Sequence, residues 1–90
     1  MLSDYWQNAP ETEQPLKAWF AETQKAQWNT PAEIKEKYRS ASFVKNNRVI
    51  FNICGNKYRL IVRINYISKT VFIRFIGTHS EYDKINAEEI

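Results

Sequence analysis

Arg48-Val49-Ile50-Phe51-Asn52-Ile53-Cys54-Gly55-Asn56-Lys57-Tyr58-Arg59-Leu60-Ile61-Val62-Arg63-Ile64-Asn65 is the stretch that decides the fold. Its hydrophobic period is two. From Arg48 to Cys54, Val49, Phe51 and Ile53 alternate with Ile50, Asn52 and Cys54. From Lys57 to Asn65, Tyr58, Leu60, Val62 and Ile64 alternate with Lys57, Arg59, Ile61, Arg63 and Asn65. Alternation of this kind puts successive side chains on opposite faces of a strand. Gly55-Asn56, between the two runs, supplies residues that accept positive φ and so marks a hairpin. A third run, Thr70 to Gly77, follows a turn at Tyr66 to Lys69 and alternates Val71, Ile73 and Phe75 with Phe72, Arg74 and Ile76. Ahead of them, Ser42 to Lys45 reads as a short strand closed by the turn pair Asn46-Asn47. The spacing predicts an antiparallel meander of three to four strands.

Upstream the period changes to that of a helix. In Glu11 to Gln27, Leu16, Trp19, Phe20 and Thr23 fall at i, i+3, i+4 and i+7, one apolar stripe. Pro15 is compatible with this helix because it sits in the first turn, where a missing N–H costs nothing. Thr30-Pro31-Ala32-Glu33 reads as a capping box that starts a second helix running to about Tyr38 or Arg39. A helical turn at Ser3 to Gln7 precedes both, and another is expected within Ser80 to Asn86. Trp6, Trp19, Phe20, Trp28 and Tyr38 are read as packing between helices and sheet. The fold class is α+β, with the N-terminal helices on one face of the sheet.

Ninety residues allow one small domain, taken here as 1–90. A content of 43% hydrophobic and 14% aromatic residues is enough for a packed core. The single cysteine, Cys54, excludes an internal disulfide framework, and no Cys/His cluster has the spacing of a zinc site. No apolar run is long enough to span a membrane. Met1 to Pro10 carries Asp4 and no Lys or Arg, so no signal or transit peptide is expected there, and a cytoplasmic protein is the default expectation.

The net charge of +3 conceals a strong partition. Met1 to Ile34 carries −3 and Ser80 to Ile90 again −3, whereas Lys35 to His79 holds ten cations against Glu36 alone, a net of +9. One electropositive half of a small fold is the footprint of a polyanion-binding protein. Alternation aims Lys57, Arg59 and Arg63 at the face away from the helices, with Arg74 joining them if register allows. Unpaired cations are too costly to bury, so these side chains meet solvent, carboxylates of the acidic ends, or phosphates. Gly77-Thr78-His79-Ser80-Glu81-Tyr82-Asp83 holds the only histidine, three residues before a tyrosine. At the mouth of a basic sheet, His79 and Tyr82 suit proton transfer in phosphodiester chemistry, with a nearby cation stabilising the transition state. The alternative for His79 is a strand-end residue bonded to Glu81 or Asp83. With glycine only at Gly55 and Gly77 there is no phosphate-cradling loop, and no paired carboxylates suggest a metal-dependent nuclease.

Lys45-Asn46-Asn47-Arg48-Val49-Ile50-Phe51-Asn52-Ile53, with Gly55-Asn56-Lys57-Tyr58-Arg59-Leu60, resembles the HigB-type toxins of the RelE superfamily. So do Val71-Phe72-Ile73-Arg74-Phe75-Ile76-Gly77-Thr78-His79, Glu81-Tyr82-Asp83-Lys84-Ile85, and the helical Leu16-Lys17-Ala18-Trp19 and Thr30-Pro31-Ala32-Glu33-Ile34-Lys35. The resemblance covers nearly the whole chain. It implies a cytoplasmic bacterial toxin of a type II toxin–antitoxin system, an endoribonuclease that cleaves ribosome-associated mRNA. A helix-turn-helix, HigA-like antitoxin would oppose it in a toxin–antitoxin hetero-oligomer, with no membrane partner.

Residue by residue, the resemblance gives Arg59 a phosphate-stabilising role and puts His79 and Tyr82 where the superfamily has an active-site cation and a tyrosine. A histidine there departs from the arginine of the pattern and leaves open whether His79 is acid, base or charge stabiliser. Arg48, Lys57, Arg63 and Arg74 would hold the RNA backbone. The implied reaction needs no metal or cofactor: the RNA 2′-OH attacks the adjacent phosphate. Family members begin with a short β-strand, whereas Met1-Leu2-Ser3-Asp4 falls inside the expected first helix. Either that strand is lost, which would expose a sheet edge, or the sequence begins at an internal methionine. The rival expectations are a non-catalytic RNA- or ribosome-binding module and a truncated, inactive toxin that still binds its antitoxin.

Overall fold

The computed structural model describes residues 2–90. Its elements follow the order α1 (Leu2–Asn8), a 3-10 turn (Pro10–Thr12), α2 (Glu13–Lys25), α3 (Pro31–Lys37), β1 (Ser42–Val44), β2 (Arg48–Ile53), β3 (Tyr58–Asn65), β4 (Thr70–Thr78) and α4 (His79–Tyr82). The strands make one antiparallel sheet in the order β1-β2-β3-β4, the meander that the period of two predicts. Asn46 and Asn47 turn the first corner at φ 64° and 59°, a conformation asparagine tolerates better than most residues.

The second corner is built differently from its sequence reading. Gly55 has the expected positive φ, 66°, but Cys54 shares it at 54° and so belongs to the turn rather than to the strand. The Cys54 thiol donates to the main-chain oxygen of Glu11 at 3.2 Å, which ties this corner to the 3-10 turn beneath it. Burial pushes the thiol up from its ordinary pKa, with the Glu11 carboxylate adding to the effect.

Helices and sheet share one core. Leu16, Trp19, Trp28 and Ile34 from the helical half meet Val49, Phe51, Ile53, Tyr58, Leu60, Val62 and Ile64 from the sheet. Phe51 stands at its centre, with the rings of Tyr38, Trp19 and Trp28 at 5.1, 5.5 and 6.3 Å. Tyr38 and Trp19 meet it edge-on and Trp28 stacks on it, arrangements that add about 0.5–1.5 kcal/mol per pair beyond the area buried. Phe20 departs from the expected stripe: it is 46% exposed and lines a cleft with Trp19 and Ile73 beside β4. α2 also starts two residues later than its pattern suggests. Thr12, fully buried, turns its hydroxyl onto the Ala9 carbonyl at 2.7 Å and holds a 3-10 turn ahead of the helix. At α3 the Thr30 side chain makes no cap. Glu33 instead accepts the Asn29 main-chain N–H at 2.7 Å, one residue earlier than the expected box.

β4 corrects the alternation read from its sequence. Ile61 pairs with Phe75 and Val62 with Ile73, which leaves Arg74 as an extra, unpaired residue. This bulge reverses the phase of the strand. Val71, Ile73 and Ile76 pack against the core, while Phe75 turns to the other face beside Ile61. That face is not wholly open. Ile50 and Ile61 are 3% and 0% exposed, although neither belongs to the main core. The segment after α4 returns across to β2: Asn46 Nδ2 donates to the Glu88 oxygen at 3.1 Å, and Arg48 Nε and Nη2 donate to the Ile90 oxygen at 3.0 and 2.8 Å.

Candidate active site on the sheet face away from the helices

α4 is four residues long, and its position depends on one capping box. The Thr78 hydroxyl accepts the Glu81 N–H at 3.2 Å, while the Glu81 carboxylate accepts the Thr78 N–H at 2.8 Å. The bond from the Thr78 N–H and, second, one donated by the Thr78 hydroxyl to Glu81 Oε1 at 3.1 Å hold the Glu81 carboxyl below its ordinary pKa. The Thr-x-x-Glu signature was present in the sequence, masked by the strand pattern that runs into it. Gly77, just upstream, is buried beneath the Phe75 ring: an added Cβ would lie 2.6 Å from Phe75 Cζ and 3.0 Å from Glu81 Oε1.

This cap brings Tyr82 to the β3 arginine and sets His79 beside Tyr82. The His79 N–H donates to the Lys57 carbonyl at 2.9 Å, fixing the start of α4 against the β2–β3 corner. Tyr82, one turn on, lies with its ring centroid 6.4 Å from that of His79. The Arg59 guanidinium sits 5.8 Å from the Tyr82 centroid, within cation–π range. Arg59 also donates to the Asn56 carbonyl at 3.0 Å and to its neighbour Tyr58 at 3.3 Å, so its head is aimed rather than free to sweep. Residues twenty and more apart in sequence thus form one cluster.

His79 Nδ1 faces the Asp83 carboxylate at 3.2 Å, one of the two partners foreseen from sequence. An acceptor at Nδ1 leaves Nε2 as the nitrogen able to exchange a proton with a ligand. Both side chains are at least half exposed, so the contact orients the ring more than it stabilises the fold.

The four expected backbone ligands are distributed less simply. Arg63 shares the face with Arg59 and stacks its guanidinium 5.5 Å from the Phe72 centroid. Arg74 is exposed on the bulge. Lys57 lies in the corner before β3, near enough to Glu11 to help lower that carboxyl's pKa after its own main-chain N–H and Tyr58. Arg48 is engaged by the Ile90 oxygen and, through Nη1, by the Asn46 carbonyl at 2.7 Å. Among the described residues, none of these cations or Arg59 pairs with a side-chain carboxylate. Arg59, Arg63 and Arg74 thus have no side-chain carboxylate partner among the described residues, whereas Lys57 lies near Glu11 and Arg48 is held by the acidic C-terminal segment. Sequence reasoning missed the exposed Phe72, because its pattern marks it only as an outward strand position, and the occupation of Arg48, which no local signal announces.

The arrangement of N-terminal helices on a four-stranded antiparallel sheet is an α+β fold consistent with the RelE-like toxins. A family described as "HigB_toxin, RelE-like toxic component of a toxin-antitoxin system" matches residues 12–85, and the chain belongs to that HigB toxin family. It is also similar to the mRNA interferase HigB of Escherichia coli O6:H1 strain CFT073, with 32% identity over 60 residues, covering 64% of this chain and 58% of that protein. The chain thus matches less than two thirds of that relative's length. Among the described residues, no helix is long and apolar enough to cross a membrane.

Proposed function

We propose that the chain is the toxin of a type II toxin–antitoxin system and cleaves single-stranded regions of mRNA, engaged on the ribosome, by attack of a ribose 2′-OH on the adjacent phosphate. The observation that carries this reading is the grouping of Arg59, His79 and Tyr82 on a face whose Arg59, Arg63 and Arg74 have no side-chain carboxylate partner among the described residues. Membership of a toxin family and similarity to an E. coli mRNA interferase support it. In this scheme the Arg59 guanidinium meets the charge that develops on the phosphate oxygens. His79, with Nδ1 turned to Asp83, exchanges the proton through Nε2. The Tyr82 hydroxyl serves the other oxygen or orients the phosphate beside Arg59. None of these roles requires a metal ion, and the products are a cyclic phosphate or 3′-phosphate and a 5′-hydroxyl. Lys57, Arg63 and Arg74 hold the RNA backbone. Arg48 joins them once the Ile90 oxygen has left it. A helix-turn-helix, HigA-like antitoxin is the opposing partner, and the cytoplasm is the compartment in which such a pair acts.

The test is cleavage of ribosome-bound message by purified variants. Arg59→Ala, His79→Ala and Tyr82→Phe should each slow cleavage by about 10²–10⁴-fold, the range for loss of an acid–base or charge-stabilising group. Their melting temperatures should stay within a degree or two of wild type, because the three side chains lie outside the core. Retained cleavage in all three variants would remove the proposed site. Binding without any cleavage by the wild type would leave only an RNA- or ribosome-binding module.

A further inference from the structure

Phe72 is the aromatic side chain that the basic face leaves open. It pairs with Arg63 across β3 and β4, so both point away from the core, and it is 41% exposed. The Arg63 guanidinium covers one side of the ring at 5.5 Å from its centroid. Neither Arg63 nor the neighbouring exposed Arg74 is matched by a side-chain carboxylate among the described residues. A flat apolar surface flanked by unmatched positive charge fits a ligand that is itself flat on one part and anionic on another. A nucleotide is such a ligand, and only an unpaired base has a ring face free to stack, since duplex bases are already stacked on one another.

We propose that Phe72, with Arg63 against its ring, is a stacking platform for one unpaired nucleobase of the RNA. The inference rests on the RNA-cleaving reading above and adds a subsite to it. Arg63 lies four positions beyond Arg59 on the same face of β3, about 13 Å at the usual rise per residue. The platform therefore takes a base flanking the scissile phosphate rather than a reacting group. Arg63 has two functions there: it fixes the ring by cation–π contact and offers outward N–H donors to the adjoining phosphate. The contact discriminates single-stranded from double-stranded RNA and is tolerant of base identity, since every base has a π-face.

The experiment is equilibrium binding of the full chain to a short fluorescein-labelled single-stranded RNA carrying 2′-O-methyl riboses, which blocks the attacking hydroxyl, at one fixed low salt concentration. Phe72→Ala and Phe72→Leu should both raise Kd about five- to 150-fold, the loss of one base–aromatic stack. Phe72→Trp should bind at least as tightly as wild type, and a duplex probe should be insensitive to all three. Leucine retains apolar bulk without a ring face, so a leucine variant that binds like wild type overturns the platform. Equal binding by every Phe72 variant, with Arg59→Ala weakened, overturns the platform alone and leaves the cleavage site standing. Failure of the wild type to bind the probe overturns the RNA reading itself. Unchanged RNA affinity with loss of antitoxin affinity in Phe72→Ala assigns the patch to a protein partner and also overturns the platform.

Discussion

Gly77 has no room for a methyl group. It faces Arg59 across the β3–β4 ladder, under the Phe75 ring and beside the Glu81 carboxylate. Gly77→Ala must displace that ring, or the carboxylate, or both, at a cost of about 1–3 kcal/mol typical of overpacking. For a domain of this size each kcal/mol lowers the melting temperature by about 4–8 °C. The variant should therefore melt measurably earlier in calorimetry and lose cleavage as well, because Glu81 is half of the cap that positions His79 and Tyr82. An unchanged melting temperature would mean that Phe75 moves aside freely. At this scale the sequence was informative where one rule acted alone. Alternation put Arg59 and Arg63 on the outer face correctly. It misassigned Phe75 and Ile76, because a single extra residue at Arg74 inverts every later position and leaves no mark in composition.

Among the elements, α4 connects stability to the site. Four residues cannot sustain a helix by propensity, so its geometry comes from the Thr78–Glu81 box and from the His79 N–H bond to Lys57. Thr78→Ala removes the hydroxyl acceptor and should cost about 0.5–2 kcal/mol. Its effect on cleavage should exceed its effect on RNA binding, since the backbone-holding cations lie elsewhere. The same cap sets a pH dependence. Folding lowers the Glu81 pKa, so its carboxylate adds stability that is complete above the unfolded value near 4.5 and drains away as the pH falls through the lowered value. Glu11 and Glu33 are lowered too and act in the same direction. Melting temperature should fall as the pH drops below about 4.5. In Glu81→Gln the fall should be shallower, because one of the three carboxyls no longer titrates. The helix starts show why local signals compete. Thr30-Pro31-Ala32-Glu33 carries the stronger sequence signature yet bonds through Asn29, while Thr78-His79-Ser80-Glu81 forms the complete box behind a strand pattern.

For the whole molecule, the partition of charge between the middle of the chain and its ends corresponds to a three-dimensional arrangement. The cationic strands carry half-buried Arg59 and Arg63 and exposed Arg74 on the outer face, while the acidic C-terminal segment, with Glu88 and Glu89, crosses back to Arg48 and Asn46. Sheet order, the helical layer and the Phe51-centred core were legible because periodicity and burial agree along most of the chain. The tail's return was not, since two residues 42 positions apart meet through main-chain oxygens that every sequence possesses. Pairing His79 and Tyr82 with a cation of the basic sheet was legible from the residues, whereas Arg59 as that cation came from the family resemblance. The proposed reaction is a metal-free cleavage by that cluster, and the chemistry of the RNA ends decides it. Message cut by the wild-type chain in excess EDTA should carry 5′-hydroxyl and cyclic or 3′-phosphate ends, and Arg59→Ala should leave the message whole. Ends bearing a 5′-phosphate, or cleavage abolished by the chelator, would contradict it.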